Sequence, residues 1–263
     1  MKTIILCGGQ GTRLQEATGG LKPKPMVEVG GRPILWHIMD GYARQGFKEF
    51  VLCLGHLGAI IKEYFLHYEA MNSDFTLNLG ASDNIIYHRH NGASDWQVTL
   101  SDTGLDSMTG ARVARVRQYI GDETFMVTYG DGLSNINLSE LLAFHRAHGK
   151  IATITGIQAP SRFGRLMSEQ NIVTSFLEKP TDESEWINGG FFVFEPAVFD
   201  YLSEDARCVL EQSPMEQLVR HGELAVFKHS GFWQCVDTFR ELQLLERLWT
   251  CGDAPWRELH PSV

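Results

Sequence analysis

Thr3-Ile4-Ile5-Leu6-Cys7-Gly8-Gly9-Gln10-Gly11-Thr12-Arg13-Leu14 is the stretch that decides the fold. Residues 3–7 form a short, β-rich, uninterrupted apolar run, the pattern of a strand covered on both faces. The glycines behind it let the backbone turn sharply and aim N–H groups at a bound anion, while Thr12 and Arg13 add a hydroxyl and a guanidinium. Alone, the same stretch reads equally well as a tight turn feeding a helix. Two familiar phosphate motifs are excluded. A dinucleotide fingerprint needs a third glycine where Leu14 stands and an acid ending the second strand, which instead ends Cys53-Leu54-Gly55. A P-loop needs a hydroxyl after its lysine, and Gly149-Lys150-Ile151 has none.

Beyond the glycine loop a strand–helix rhythm sets in. Pro33 opens a helical pattern with Ile34, Ile38 and Tyr42 on one face, closed by Gly46. A second buried strand covers 50–54, and a helix carrying Ile60, Ile61, Tyr64 and Phe65 follows the turn at 55–58. Short strands are expected at 75–79, 85–88 and 97–100, a helix from about Gly110, and a buried strand at 125–129 that ends in Gly130-Asp131-Gly132. The next helix carries Leu138, Leu141, Leu142 and His145. Strands at 151–157, 163–167, 172–177, 191–194 and 224–227 are then interrupted by helices near 196–202 and 214–221, and a terminal helix spans 238–249. The alternation predicts an α/β fold: a Rossmann-like mixed, mostly parallel sheet flanked by helices. With no repeat and no low-complexity linker, residues 1–263 are expected to form one domain.

The chain has 263 residues, 23 Lys+Arg and 32 Asp+Glu, for a formal net charge of −9. Its 43% hydrophobic and 21% charged residues exclude a disordered or collagen-like chain. The acidic balance argues against nucleic acid as partner, since duplex binding needs a basic surface, yet a few local cations and N–H groups can still hold a small phosphate. Five scattered cysteines without a C-x-x-C pair suggest neither a disulfide framework nor a zinc site. The apolar run at 3–7 is too short for a signal-peptide core, and no stretch is long enough for a membrane helix. A cytoplasmic location is expected.

Three further segments carry chemistry. In Lys22-Pro23-Lys24-Pro25-Met26 the flanking prolines stiffen the loop that presents Lys24, unless the segment is only a proline-rich connector. Asp131 lies at the carboxyl end of a buried strand, the edge where open α/β sheets bind ligands; a carboxylate there suits Mg²⁺, although Asp-Gly is also an ordinary turn. Asp237 is a candidate second carboxylate or the N-cap of the terminal helix. Glu178-Lys179-Pro180 and Asn188-Gly189-Gly190 read alone as a polar turn and the start of a strand, and His56, His145 and His148, which show no ligand spacing with an acidic partner, as solvated or core histidines.

In this order, Gly8-Gly9-x-Gly11-Thr12-Arg13-Leu14, Pro23-Lys24-Pro25, Gly130-Asp131-Gly132, Glu178-Lys179-Pro180 and Asn188-Gly189-Gly190 resemble the sugar-1-phosphate nucleotidylyltransferases. Lys22–Gly31, Ile34–Met39, Ser107-Met108-Thr109-Gly110, Phe232-Trp233-Gln234 and Ala254-Pro255-Trp256 extend the resemblance over nearly the whole chain, toward the members that use cytidine nucleotides. The resemblance implies the nucleotide-diphospho-sugar transferase fold, with a nucleotide-binding part at about 1–135 and a sugar-phosphate and oligomerisation part at about 136–263. It implies Mg²⁺-dependent transfer of CMP from CTP to α-D-glucose 1-phosphate, a place in the supply of deoxysugars to lipopolysaccharide O-antigen, and a homo-oligomer, hexamers being known. Carried over residue by residue, Leu6, Cys7, Gly8, Gly9, Gly11, Thr12, Arg13, Lys24, Ser107, Arg112 and Gly130 would hold the nucleotide. Arg13, Lys24 and Asp131 would be catalytic, Asp131 and Asp237 would ligate the metal, and Glu178, Lys179, Asn188 and Gly190 would face the sugar phosphate. Cys7 in place of the usual alanine, Gln10 in place of an apolar residue, the Gly19-Gly20 extension and the additional cation in Ser161–Arg165 depart from the family pattern.

The sugar phosphate already carries an anionic oxygen nucleophile, so the chemistry needs no strong base. It needs two polyanions brought into line, with their charge offset. Transfer of dTMP or UMP to another sugar 1-phosphate, or nucleotide-sugar binding without catalysis, are the competing expectations.

Overall fold

The alternation of side chains along the buried strands explains the architecture. The computed structural model describes residues 1–11, 20–80, 85–88, 95–158, 165–169, 172–177 and 186–257. Its centre is a seven-stranded sheet of β1 (Lys2–Leu6), β2 (Glu49–Leu54), β3 (Gln97–Asp102), β4 (Phe125–Tyr129), β5 (Ala152–Ile157), β6 (Ile187–Phe194) and β7 (Leu224–His229), in the order β7-β5-β6-β4-β1-β2-β3. β1 runs parallel to β2 and β4, β2 to β3, and β5 to β7; β6 is antiparallel to both its neighbours. The sheet therefore joins strands from both halves of the chain.

Successive residues point to opposite faces and build two cores. Ile5, Phe50, Leu52, Leu54, Met126 and Val193 pack on one side, while Ile4, Leu6, Val51, Phe125, Val127 and Phe192 pack on the other. The first core is closed by α1 (Ile34–Arg44) through Leu35, Ile38, Met39 and Tyr42. The helix Leu138–His148 and the terminal helix Phe239–Thr250 add Leu141 and Leu245 to it. The second is closed by the helix Thr109–Arg115 through Val113 and by the helix Ser213–Arg220 through Leu218. Among the described residues no helix is long and apolar enough to cross a membrane.

Several expectations shift. The strand expected at 191–194 begins at Ile187, because a register irregularity opposite Ile154 and Gly156 lets it continue through Asn188-Gly189-Gly190. The strand expected at 163–167 lies at Arg165–Glu169, and 196–202 forms a 3₁₀ helix, Pro196–Tyr201. A ribbon that pairs Gly132–Ser134 with Trp233–Cys235 has no signal in the sequence, since three-residue strands form only where a distant partner supplies the hydrogen bonds. His145 is a core histidine, as one of the two readings had it: its Nε2 lies 3.0 Å from Glu195 Oε1 and its Nδ1 2.8 Å from Thr153 Oγ1.

Candidate active site

The carboxyl ends of β1 and β4 lie side by side and open into a cleft of about 370 Å³. The chain leaves β1 through Cys7, whose N–H donates to Cys53 O at 3.0 Å, and leaves β4 through Gly130, whose N–H donates to Leu6 O at 3.1 Å. Leu6, Cys7, Gly8, Gly9 and Gly11 line the cleft from one side, Gly130 and Asp131 from the other. Burial above all, with Cys53 and Asp131 nearby, pushes the Cys7 thiol well up, so it is an inert part of the wall.

Lys24 sits on a 3₁₀ turn, Lys24–Met26, with the extended Pro23 before it and Pro25 and Met26 buried behind it. Its Nζ donates to Asp131 Oδ2 at 2.5 Å and to Asp237 Oδ1 at 2.6 Å. Burial works against the charge on Lys24, but the two carboxylates more than offset it and hold the ammonium above the ordinary lysine value. Asp131 and Asp237 meet because the ribbon pairs Gly132 with Cys235, and the Val236 N–H donates to Asp131 O at 2.9 Å. Asp237 is not the N-cap of the terminal helix. Thr238 is, in a capping box with Glu241, while the Asp237 carboxylate accepts from Lys24.

Ser107 and Arg112 also line the cleft, but their polar atoms are already engaged. Ser107 Oγ donates to Thr103 O at 2.6 Å and accepts from Arg115 at 2.7 Å. Arg112 donates to the carbonyls of Leu54, Gly104, Gly8 and Leu105 and to Thr103 Oγ1. Its guanidinium braces the glycine loop: a Cβ at Gly8 would lie 2.1 Å from it, so glycine is what lets the two approach.

Asn188 reaches the cleft only through a partner. Its Nδ2 donates to the Tyr129 hydroxyl at 3.2 Å, its Oδ1 accepts from the Gly190 N–H at 2.8 Å, and Tyr129 lines the cleft. Tyr129 donates to the Glu211 carboxylate, whose other oxygen accepts from Thr109 Oγ1 at 2.6 Å. Burial, then Glu211, pushes the Tyr129 hydroxyl well above its ordinary value, so it stays protonated and a donor. Met108 and Thr109, from the Ser107-Met108-Thr109-Gly110 motif, form a wall with Val209 and Glu211, which no motif announced. Tyr129 could have been suspected as the last residue of the buried strand before Gly130-Asp131-Gly132. Thr12, Arg13, Glu178 and Lys179 lie outside the described residues.

Two carboxylates converging on one cation at a strand edge are the donor set of a hard divalent ion that draws its remaining ligands from water and phosphate. Among the described residues no group of three or more His, Cys, Asp and Glu gathers as a closed metal cage. The cleft can therefore hold a polyanion along the glycine loop with a cation at its acidic end.

Comparison with known proteins agrees with this geometry. The model of the nucleotidyl transferase family matches residues 2–245. A glucose-1-phosphate cytidylyltransferase of Salmonella typhi is 48% identical over 258 residues, which cover 98% of this chain and 99% of that one. A probable glucose-1-phosphate cytidylyltransferase of Bacillus subtilis is 45% identical over 257 residues, with the same coverage of both chains. Among solved structures, a UDP-glucose pyrophosphorylase from Acinetobacter baumanii superposes with a TM-score of 0.69 over 95% of this chain and 93% of that one. Its identity is 16%, a likeness of fold alone.

Proposed function

The chain belongs to the nucleotidyl transferase family, and on that premise we propose that it transfers CMP from CTP to α-D-glucose 1-phosphate, giving CDP-glucose and pyrophosphate. The observation that carries this reading is the identity to cytidylyltransferases along the entire chain, with the cleft at the ends of β1 and β4 as its physical counterpart.

In the proposed reaction the backbone of Gly8-Gly9-Gln10-Gly11 cradles the triphosphate, held in shape by Arg112. Lys24 offsets phosphate charge from a stiff turn, and Arg13 of the same glycine loop is assigned a second cation's role. Asp131 and Asp237 would hold a divalent cation, Mg²⁺ in this reading, which when bound supplies further charge neutralisation for the departing pyrophosphate. The sugar phosphate oxygen attacks the α-phosphorus in line and needs no proton removed, so Tyr129 and Asn188 act by orienting the second substrate. Glu178 and Lys179 are assigned to that substrate as well. Glu211, a carboxylate, is suited to the hydroxyls of the bound molecules rather than to their phosphates.

A homo-oligomer belongs to the same reading. Its support is the apolar side chains that the ribbon pairing Phe75–Leu77 with Ile85–Tyr87 leaves exposed, Phe75, Leu77, Ile85 and Ile86 among them. The free cysteines suit a reducing, cytoplasmic setting.

The test is pyrophosphate release from each NTP and from dTTP, with Mg²⁺, against a panel of sugar 1-phosphates. Turnover confined to CTP with glucose 1-phosphate is expected. Preference for dTTP or UTP would overturn the choice of base, and silence across the panel would leave only a binding protein.

A further inference from the structure

The ammonium of Lys24 stands where the two carboxylates converge, taking one oxygen from each. We propose that Lys24 is a tethered placeholder for the divalent cation: it keeps free metal off Asp131 and Asp237 until a triphosphate draws it away, so that metal and nucleotide are taken up together. The proposal rests on the nucleotidyl-transfer reading and adds an order of binding to it.

The argument is first one of space. An ion of this kind holds carboxylate oxygens at about 2.0–2.1 Å. The Lys24 nitrogen lies 2.5 and 2.6 Å from two oxygens such an ion would use, so the two cations compete for them. The backbone cannot withdraw the lysine, because Pro23 and the buried Pro25 and Met26 fix its turn. Only the flexible four-carbon stem can move. That stem lies against Gly11, where a Cβ would come within 3.0 Å of Lys24 Cβ, so the ammonium is released beside the glycine loop.

The second argument concerns charge. Lys24 is only 13% exposed, whereas the Asp131 and Asp237 side chains are 30% and 27% exposed. Metal arriving alone reaches the carboxylates but must displace a partly buried ammonium from its two charged acceptors. A triphosphate on the glycine loop offers acceptors for the displaced ammonium, and the cost of displacement falls. Metal and nucleotide thus reinforce one another through a residue that trades partners between them.

The experiment measures Mn²⁺ binding by electron paramagnetic resonance on the full chain without nucleotide. Wild type and Lys24→Arg, which keeps the blocking charge, are expected to bind weakly. Lys24→Met is expected to bind about tenfold more tightly or better. The gain must vanish in Lys24→Met/Asp131→Asn. A gain below tenfold, or one that survives in the double variant, overturns the proposal. Lys24→Gln gives the same reading should the methionine variant fail to fold. No CTP or sugar phosphate enters this measurement. Equal Mn²⁺ affinities would refute the placeholder and leave the proposed reaction standing, whereas an inactive substrate panel would refute the reaction and leave the metal comparison readable.

Discussion

Replacing Arg112 with methionine tests whether this arginine is a strut or a cation reserved for nucleotide. The side chain is 4% exposed. Its Nη1 donates to Leu54 O at 2.9 Å, Thr103 Oγ1 at 2.8 Å and Gly104 O at 2.9 Å, and its Nη2 donates to Gly8 O at 3.0 Å and Leu105 O at 3.3 Å. Burial, the largest influence, pulls its pKa below the ordinary arginine value, so the charge is tolerated here because the carbonyl dipoles surround it. Each hydrogen bond from a charged donor contributes about 1.5–3 kcal/mol. The full sum is not lost in the variant. Leu54 O keeps donors from Thr103, Gly8 O keeps the His56 N–H, and the cost of burying the guanidinium disappears. A net loss of about 3–5 kcal/mol remains, as for other broken buried charge networks. Urea unfolding should show a lower midpoint at unchanged slope, and the KM for nucleotide should rise because Gly8 loses its support. Arg112→Lys has three donors for five acceptors and should recover only part of the loss. A loss under about 1 kcal/mol, or full rescue by lysine, would refute the strut and return Arg112 to the role of a simple positive charge.

Lys24→Ala and Asp131→Asn should each lower kcat/KM a hundredfold or more, about 3 kcal/mol, as measured by pyrophosphate release, with near-normal turnover in a folded variant counting against the assignment. Gly190 has φ +79°, and a Cβ there would lie 2.4 Å from the Tyr129 ring, so Gly190→Ala should cost about 2–4 kcal/mol in thermal unfolding and also reduce turnover by displacing Tyr129. Burial lowers the pKa of His37 and of His145 in the folded protein. The unfolded chain therefore binds more protons below its ordinary histidine pKa near 6.5, and stability should fall as pH drops through 6.5 toward the lowered folded values. A Tm that stays flat or rises between pH 7 and 5.5 would contradict this, and His37→Gln should make the curve shallower.

The legible parts of the site share one physical property: they are local. The glycine loop after β1, the proline-framed Lys24 and the Gly130-Asp131-Gly132 turn each announce themselves within a few residues, because turn chemistry and strand ends are encoded by neighbours. Asp237 was harder. Its carboxylate meets Lys24 while Thr238 takes the helix cap, and both residues are chemically able to cap. At Arg112 the local sequence is silent: nothing in Gly110-Ala111-Arg112-Val113 tells that its guanidinium braces the carbonyls of Gly8, Leu54, Gly104 and Leu105. Glu211 left no trace, since an acid in an irregular stretch looks like any solvated residue.

By itself the sequence determined the class of fold and the strand edge at which chemistry occurs. The short continuous apolar runs of β1, β2 and β4 and the 3.6 periodicity of α1 are local patterns, legible without knowledge of any distant contact. The tertiary structure alone decided which charges meet. Lys24, Asp131 and Asp237 are brought together by a three-residue ribbon pairing Gly132 with Cys235, and carbonyls from separate segments converge on the Arg112 guanidinium. Electrostatic partnership depends on distances of a few ångströms between segments far apart in the chain, and such distances are set only when the two cores have packed.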